Sequence, residues 1–440
     1  MMPGISIELK WLPPFQGTDE IGRTSATIQI RFGAENATRF EDVWSESVQE
    51  GTRASAYPLA VWLASSWWRL RWEPLPARIR LTQDQVPANT NWRMSHELPA
   101  AGYGFIWPQL VFASDGESIR VSCRRSPALS NEPVHYLSEF EVAVPAREFE
   151  TGIDNFMDLV LRRLDKLGET ELHVLWRDVL AERADRQQST ARKIEARLGY
   201  DADEASLDLL ERFLNLVTEA GADTTDEIAP VCAGTDPLGV LQNVISLASR
   251  PGIQGRISIP THAGVPNGAL PPPWQRARQF ATDVRSSLGL GADPLNDKTL
   301  SELLQISADD LSAKPSAHAP MGLAVRTGNQ DLKLLFHKRN RPARRFEAAR
   351  FIADYISAER SDRWLPITDS GTARQKLQRA FAAEFLCPID SLRSHLGDDF
   401  LPEAFEDAAE YFGISEMAIK SHLANHHLIP RTLVESDTTS

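Results

Sequence analysis

The sequence predicts an α+β multidomain protein. A β-rich N-terminal domain (1–148) is followed by a helical region (149–250), a Gly/Pro-rich linker (251–272) and a mostly α C-terminal domain (273–435). Three observations carry that reading. Short alternating or β-branched runs, set apart by Gly, Pro, Asp and Asn, fill the chain up to about residue 145. Apolar residues at helical spacing then take over. Finally, PGIQGRISIPTHAGVPNGALPPP at 251–273 is too rich in Gly and Pro to continue a helix.

In the N-terminal part, SATIQIRF (25–32), RIRLTQ (78–83), QLVFAS (109–114), SIRVSCRR (118–125) and SEFEVAVP (138–145) are expected strands, with one helix across Ala56–Trp72. Eight tryptophans precede residue 110: Trp11, Trp44, Trp62, Trp67, Trp68, Trp72, Trp92 and Trp107. Large aromatics dominate core burial, so a core role is the first reading. An aromatic-lined pocket or partner surface is the second, with Trp92, His96, Tyr103, Trp107 and Asp115 as its residues. His96 next to Glu97 offers acid–base chemistry, with Asp115 as a further partner. A hydrogen-bonded structural pair is the preferred account of such a His.

In the helical region, NFMDLVLRRLDKL (155–167) places residues 156, 159, 160 and 164 on one face. A single polar helix from about Glu171 to Leu198 follows, expected to be solvent-exposed or arm-like. SLDLLERFLNLVTEA (206–220) and PLGVLQNVISLAS (237–249) are amphipathic or buried helices.

In the C-terminal domain, helices are expected at 273–290 and 298–305, and short strands within 321–340. RRFEAARFIADYIS opens at Arg344, FAAEFLCP opens at Phe381, and AAEYFGISEMAIKSHLANHHLIP (408–430) lies near the end. In the last of these, Gly413 ends one helix, Ser415 caps the next and Glu416 lies just inside it. These pieces, in this order, resemble the ImmA/IrrE family of zinc metallopeptidases. That family carries R-F-x-x-A-H-E-x-x-H on one helix, its two His binding zinc and its Glu acting as general base. A second helix of the type F-A-A-E-L-L-M-P packs beside it, and the turns before its Phe give an acidic third ligand.

Arg345, Phe346 and Ala349 match the lead-in, and Phe381, Ala382, Ala383, Glu384, Leu386 and Pro388 match the second helix. The metal-binding letters do not match. Arg350, Phe351 and Asp354 stand where the family has His, Glu and His, and 372–380 contains no Asp or Glu. Arg350 and Asp354 are four apart on one helix and are expected to pair with each other in the place of the metal. Asp354, Glu347, His337 and His395 are the side chains from which a metal site would have to be rebuilt. The resemblance thus implies a catalytically inactive ImmA/IrrE-like domain acting as a binding or regulatory module. Its setting would be a bacterial stress, toxin–antitoxin or phage-defence response. Arg350, Asp354, Phe381 and Glu384 would then line the partner groove between the two helices. The alternative is a zinc-dependent endopeptidase that cleaves a repressor or antitoxin.

Composition bounds the partners. Hydrophobic content of 42 % and charged content of 24 % are ordinary for a globular chain, and a net charge of −13 argues against bulk nucleic-acid binding. A local basic run (Lys338, Arg339, Arg341, Arg344, Arg345) keeps a nucleic-acid-binding regulator as the second alternative, against a solvated lead-in loop. His422 and His426, four apart, are a possible metal pair, but no acidic or Cys partner stands nearby in sequence. No cofactor is expected, zinc included, and a protein partner is. Cys123, Cys232 and Cys387 lie in no ligand spacing and give no disulfide framework. With no apolar run of membrane length and no signal-peptide pattern, the expected location is cytoplasmic. Oligomeric state is left open.

Overall fold

The computed structural model describes residues 4–14, 19–76, 89–127, 132–257, 259, 271–313, 319–328, 330–397, 399–430 and 432–435. They form a mixed α+β protein of two compact units, Met1–Leu214 with Ser370–Thr372 and Asn215–Asp369 with Ala373–Ser440. The helical stretch 149–250 is therefore divided between them. Among the described residues, no helix is long and apolar enough to cross a membrane.

The first unit carries three antiparallel sheets, one of them made of the short strands Phe40–Asp42, Ser47–Gln49 and Val134–Tyr136. In another, β1 (Ile5–Trp11) pairs with β2 (Ser25–Phe32), Ile7 opposite Ile30, and β2 also pairs with β3 (Thr52–Ser55). The alternation in β2 is realised: Ala26, Ile28, Ile30 and Phe32 are all buried. Ser55 ends β3 and caps α1 (Ala56–Ser65), its hydroxyl accepting from the Tyr57 N–H at 3.3 Å. The single helix expected at 56–72 is broken at Ser66, where α2 (Trp67–Trp72) begins. In the third sheet, β4 (Gln109–Ser114), β5 (Ser118–Arg124) and β6 (Phe140–Pro145) run antiparallel with β5 central. The expected strand at 78–83 lies outside the described residues.

The helix α3 (Ala146–Leu164) buries Phe149, Ile153, Phe156, Met157, Val160 and Leu164 in the core that also takes Trp62, Trp67, Trp68 and Trp107. Trp67 stacks on Phe149 at 6.4 Å and meets Trp176 edge-on at 5.5 Å. Most of the early tryptophans thus build core; Trp44, 87 % exposed, does not. The single exposed helix expected at 171–198 is corrected. It is two packed helices, α4 (Glu171–Ala184) and α5 (Arg186–Leu198), because Asp185 leaves the helix and caps the second through the Gln188 N–H at 2.7 Å. Residues 194–198 are buried, and Arg192 ties Glu182, Glu195 and Asp203 together at 2.6–2.7 Å.

The second unit carries a four-stranded antiparallel sheet. Its strands are β7 (Ile253–Arg256), β8 (Gly322–Arg326), β9 (Asp331–Leu335) and β10 (Trp364–Ile367), in the order β7–β9–β8–β10. Of the expected linker, residues 258 and 260–270 lie outside the described residues, and Ile253–Arg256 are the strand β7. Around the sheet pack α6 (Pro273–Ser287), α7 (Asp297–Leu304), α8 (Arg341–Ser357), α9 (Ala373–Leu386), α10 (Pro402–Phe412) and α11 (Glu416–Asn425). Phe351, Ile352, Phe381, Phe385 and Leu386 are fully buried at its centre. Gly413 sits at φ 64° after α10, a left-handed cap position that a side chain would strain. Ser415 then caps α11 through the Ala418 N–H at 3.3 Å.

Candidate functional site

The helix α8 is buried nearly all round, so its polar side chains must find partners inside the protein. Glu347 shows how. Its carboxylate accepts the N–H groups of His337 and Lys338 at 3.0–3.1 Å, pinning the loop between β9 and α8. Burial raises its pKa above the usual carboxylate range in spite of these bonds. Gly322 lies against this carboxylate, where a Cβ would collide with it.

Arg350 does not pair with Asp354, contrary to expectation. Its Nη2 donates to the Thr368 carbonyl and to Oε1 of Gln375 (2.6 Å each) and to Oε1 of Gln378 (3.2 Å). The two amides in turn donate to the Pro366 carbonyl at 3.1 Å. Burial, with Arg379 nearby, lowers the guanidinium to about 9, so it remains a cation at neutral pH.

Asp354, fully buried, is taken instead by Arg374 from α9. Arg374 donates to both of its oxygens at 2.7 and 2.9 Å, and through Nη1 to Asp362 at 2.8 Å. A bidentate guanidinium outcompetes an i,i+4 neighbour because it meets both carboxylate oxygens in one plane. Phe351 packs edge-on against Phe336 at 5.3 Å, inside the core. Phe381 stacks with Phe385 at 5.2 Å. Arg350, Asp354 and Phe381 are therefore interior side chains and line no open groove.

Two of the five basic residues are also interior. Arg344 donates to the carbonyls of Leu311 (2.8 Å) and Asp310 (2.6 Å), and Arg345 to those of Gly413 and Leu295 and to Asp297. Arg341 pairs with Asp297 at 2.7 Å and Lys338 with Asp369 at 3.7 Å; Arg339 is exposed. Arg344 and Arg345 are thus internal struts, because unfilled carbonyls at helix and loop ends attract guanidinium donors, while Arg339 and Arg341 stay at the surface.

The N-terminal candidates are corrected likewise. Trp92 stacks flat on His96 at 4.2 Å, both buried, while Trp107 is buried with its Nε1–H on the Gly102 carbonyl at 3.3 Å. The partner of His96 is Glu73, at 2.9 Å from Nε2, with the Phe112 carbonyl at 2.9 Å from Nδ1. Glu97 pairs with Arg93. Burial would raise Glu73, but His96 and Arg69 hold it below its ordinary range. Asp115 closes a turn, accepting from the Glu117 and Ser118 N–H groups. Tyr103 is exposed. The chemistry-bearing residues of this stretch stabilise a core and a turn.

One cluster is only half visible in sequence. His422 and His426 project from α11 and its C-cap, and Glu384 from α9 meets them. His422 Nε2 lies 3.4 Å and His426 Nε2 4.0 Å from Glu384 Oε2. One ligand atom from each residue falls within 4.8 Å of the others, the sole such group of His, Cys, Asp or Glu found among the described residues. The F-A-A-E motif points to Glu384 as a groove residue, but its side chain is buried against these imidazoles. The acidic partner that the histidines lack in sequence is thus present in space. His395 is elsewhere, stacked on Tyr411 at 4.5 Å. Comparison with protein-family models, with curated proteins and with solved structures gives no match to this chain.

Proposed function

We propose that the C-terminal unit is a binding or regulatory module on a scaffold of the ImmA/IrrE type, in which the peptidase site has been converted into internal structure. The observation that carries this reading is Arg350. At the position of the first expected zinc ligand stands a buried guanidinium, held by the Thr368 carbonyl and the Gln375 and Gln378 amides. A divalent cation placed beside a positive charge in a low-dielectric interior is strongly disfavoured. The position of the second ligand, Asp354, has both oxygens on Arg374. At the position of the general base, Phe351 has no proton to exchange.

The partner on this reading is a protein encoded nearby, in the bacterial stress, toxin–antitoxin or phage-defence setting that the resemblance implies. The buried state of Arg344 and Arg345 gives no support to a nucleic-acid regulator. The test is to incubate the purified protein, with zinc added, with each product of its neighbouring genes. A partner held in stoichiometric complex and recovered uncut is expected. Cleavage of that partner, abolished by chelator and by Asp354→Ala, overturns the proposal.

A further inference from the structure

We propose a second, separate feature of the C-terminal unit: Glu384, His422 and His426 form a site for one divalent cation of the zinc class, which pins α11 to α9. This goes beyond the reading of the Arg350 position and uses none of its residues.

The donor set is the first reason. Two imidazoles and one carboxylate suit zinc and its transition-metal neighbours, whereas magnesium and calcium prefer all-oxygen shells. The spacing is the second. A tetrahedral ion with bonds of about 2.0–2.1 Å separates its ligand atoms by about 3.3–3.4 Å. The His422 Nε2–Glu384 Oε2 separation is 3.4 Å, and the His426 Nε2–Glu384 Oε2 separation of 4.0 Å needs only a small rotation of an imidazole at the helix end.

The third reason is geometric: His422 and Glu384 stand at ion-pair distance but without the alignment of a hydrogen bond. The side chains of His422 and Glu384 are only 4 % and 8 % exposed, and they face each other. Yet His422 Nε2 and Glu384 Oε2 are both buried without a hydrogen-bond partner. Two buried polar atoms left unmatched across 3.4 Å, with a second imidazole beside them, point to an occupant that accepts electron pairs from all three. Glu384 is also oriented from behind: its other oxygen, Oε1, accepts from the Ile389 N–H at 3.4 Å, which leaves Oε2 for the ion.

Two guanidinium groups stand near the site, and each has partners of its own. Arg285, a buried cation whose field reaches Glu384, spends its donors on the carbonyls of Phe385, Gly291 and Asp293. Arg278 lies 3.9 Å from Asp390 on the outside. The His426 side chain is 15 % exposed, so this edge admits a water as the fourth ligand.

The test uses the full chain, stripped with chelator and then titrated with zinc chloride, with cobalt(II) as a spectroscopic substitute. One equivalent per chain is expected, with the visible absorption of tetrahedral cobalt and a rise in the thermal midpoint of about 5–10 °C at saturating zinc. His426→Gln, at the surface end of the site and expected to fold, should weaken zinc binding by more than about 100-fold, beyond the effect of changing a residue that only orients a ligand. Glu384→Gln should do the same, and Asp354→Asn should leave one equivalent bound. Less than about a tenth of an equivalent in the wild-type chain, or binding untouched by both site variants, overturns this inference and leaves the proposed function standing. Zinc lost in the Asp354 variant alone overturns both.

Discussion

Asp362 offers a sharp test of how charge is balanced inside the C-terminal unit. It shares one guanidinium, Arg374, with Asp354, and Asp354 already takes the bidentate face of that group. Two buried carboxylates on one cation leave one negative charge over. The second carboxylate, 1 % exposed, bears the cost. Burial raises Asp362 from 3.8 to about 6, against the attraction of Arg374 and with the help of Asp223 and Asp354.

Each tenfold step of that rise is worth about 1.4 kcal/mol, so charged Asp362 costs roughly 3 kcal/mol at neutral pH. The sign follows from the raised pKa. The stabilising, protonated form is fully present below the unfolded value near 4, and that stability is lost as pH rises through about 6. Asp362→Asn fixes the uncharged state. At pH 8 the variant should therefore melt higher than the wild type, by up to about 6–12 °C for a unit of this size, and the gap should close towards pH 4. Calorimetric scans of both chains at pH 4, 5, 6 and 8 in one salt concentration measure it. If the variant melts lower at pH 8, the Arg374 ion pair outweighs desolvation and this reasoning is wrong.

Asp354→Ala removes the bidentate hydrogen bonds to Arg374 and leaves that cation to Asp362; a loss of about 1.5–3 kcal/mol is expected in urea unfolding. Changing Arg344 and Arg345 together to Ala should lower the melting temperature by freeing the carbonyls of Leu311, Asp310 and Gly413, and should leave DNA retention at low salt unchanged. In the N-terminal unit, Glu73→Ala should cost about 2–4 kcal/mol by leaving Arg69 and His96 facing each other without their shared anion, read from equilibrium denaturation.

The structure shows which parts of the chain are legible without it. Where the determinant is local, the sequence is enough: the alternation of 25–32, the left-handed glycine at 413 and the hydroxyl cap at 415 act within a few residues. Two local breaks nevertheless escape it, at Ser66 and Asp185. Each sits inside an otherwise helical pattern, and periodicity alone runs straight through a single cap residue. The register of β10 and its tie to Thr224, whose hydroxyl donates to the Trp364 carbonyl at 2.6 Å across 140 positions, leave no trace in spacing.

The same rule of four-residue spacing succeeds and fails in one unit, and the contrast explains why. Arg350–Asp354 and His422–His426 are each four apart on a helix, so each pair shares a face. Sharing a face fixes which side chains stand together; what that face meets is set by the neighbouring element. For α8 that element is α9, whose Gln375, Gln378 and Arg374 answer Arg350 and Asp354 one by one and draw the pair apart. For α11 the same helix α9 presents Glu384, which answers neither imidazole with a hydrogen bond. The N-terminal half of α9 thus engages the side chains at the position where the family motif carries its metal ligands. Its C-terminal end leaves ligand atoms unmatched, at a position where the family motif marks no metal. The first site is complete within the protein, and the second is complete only with a cation.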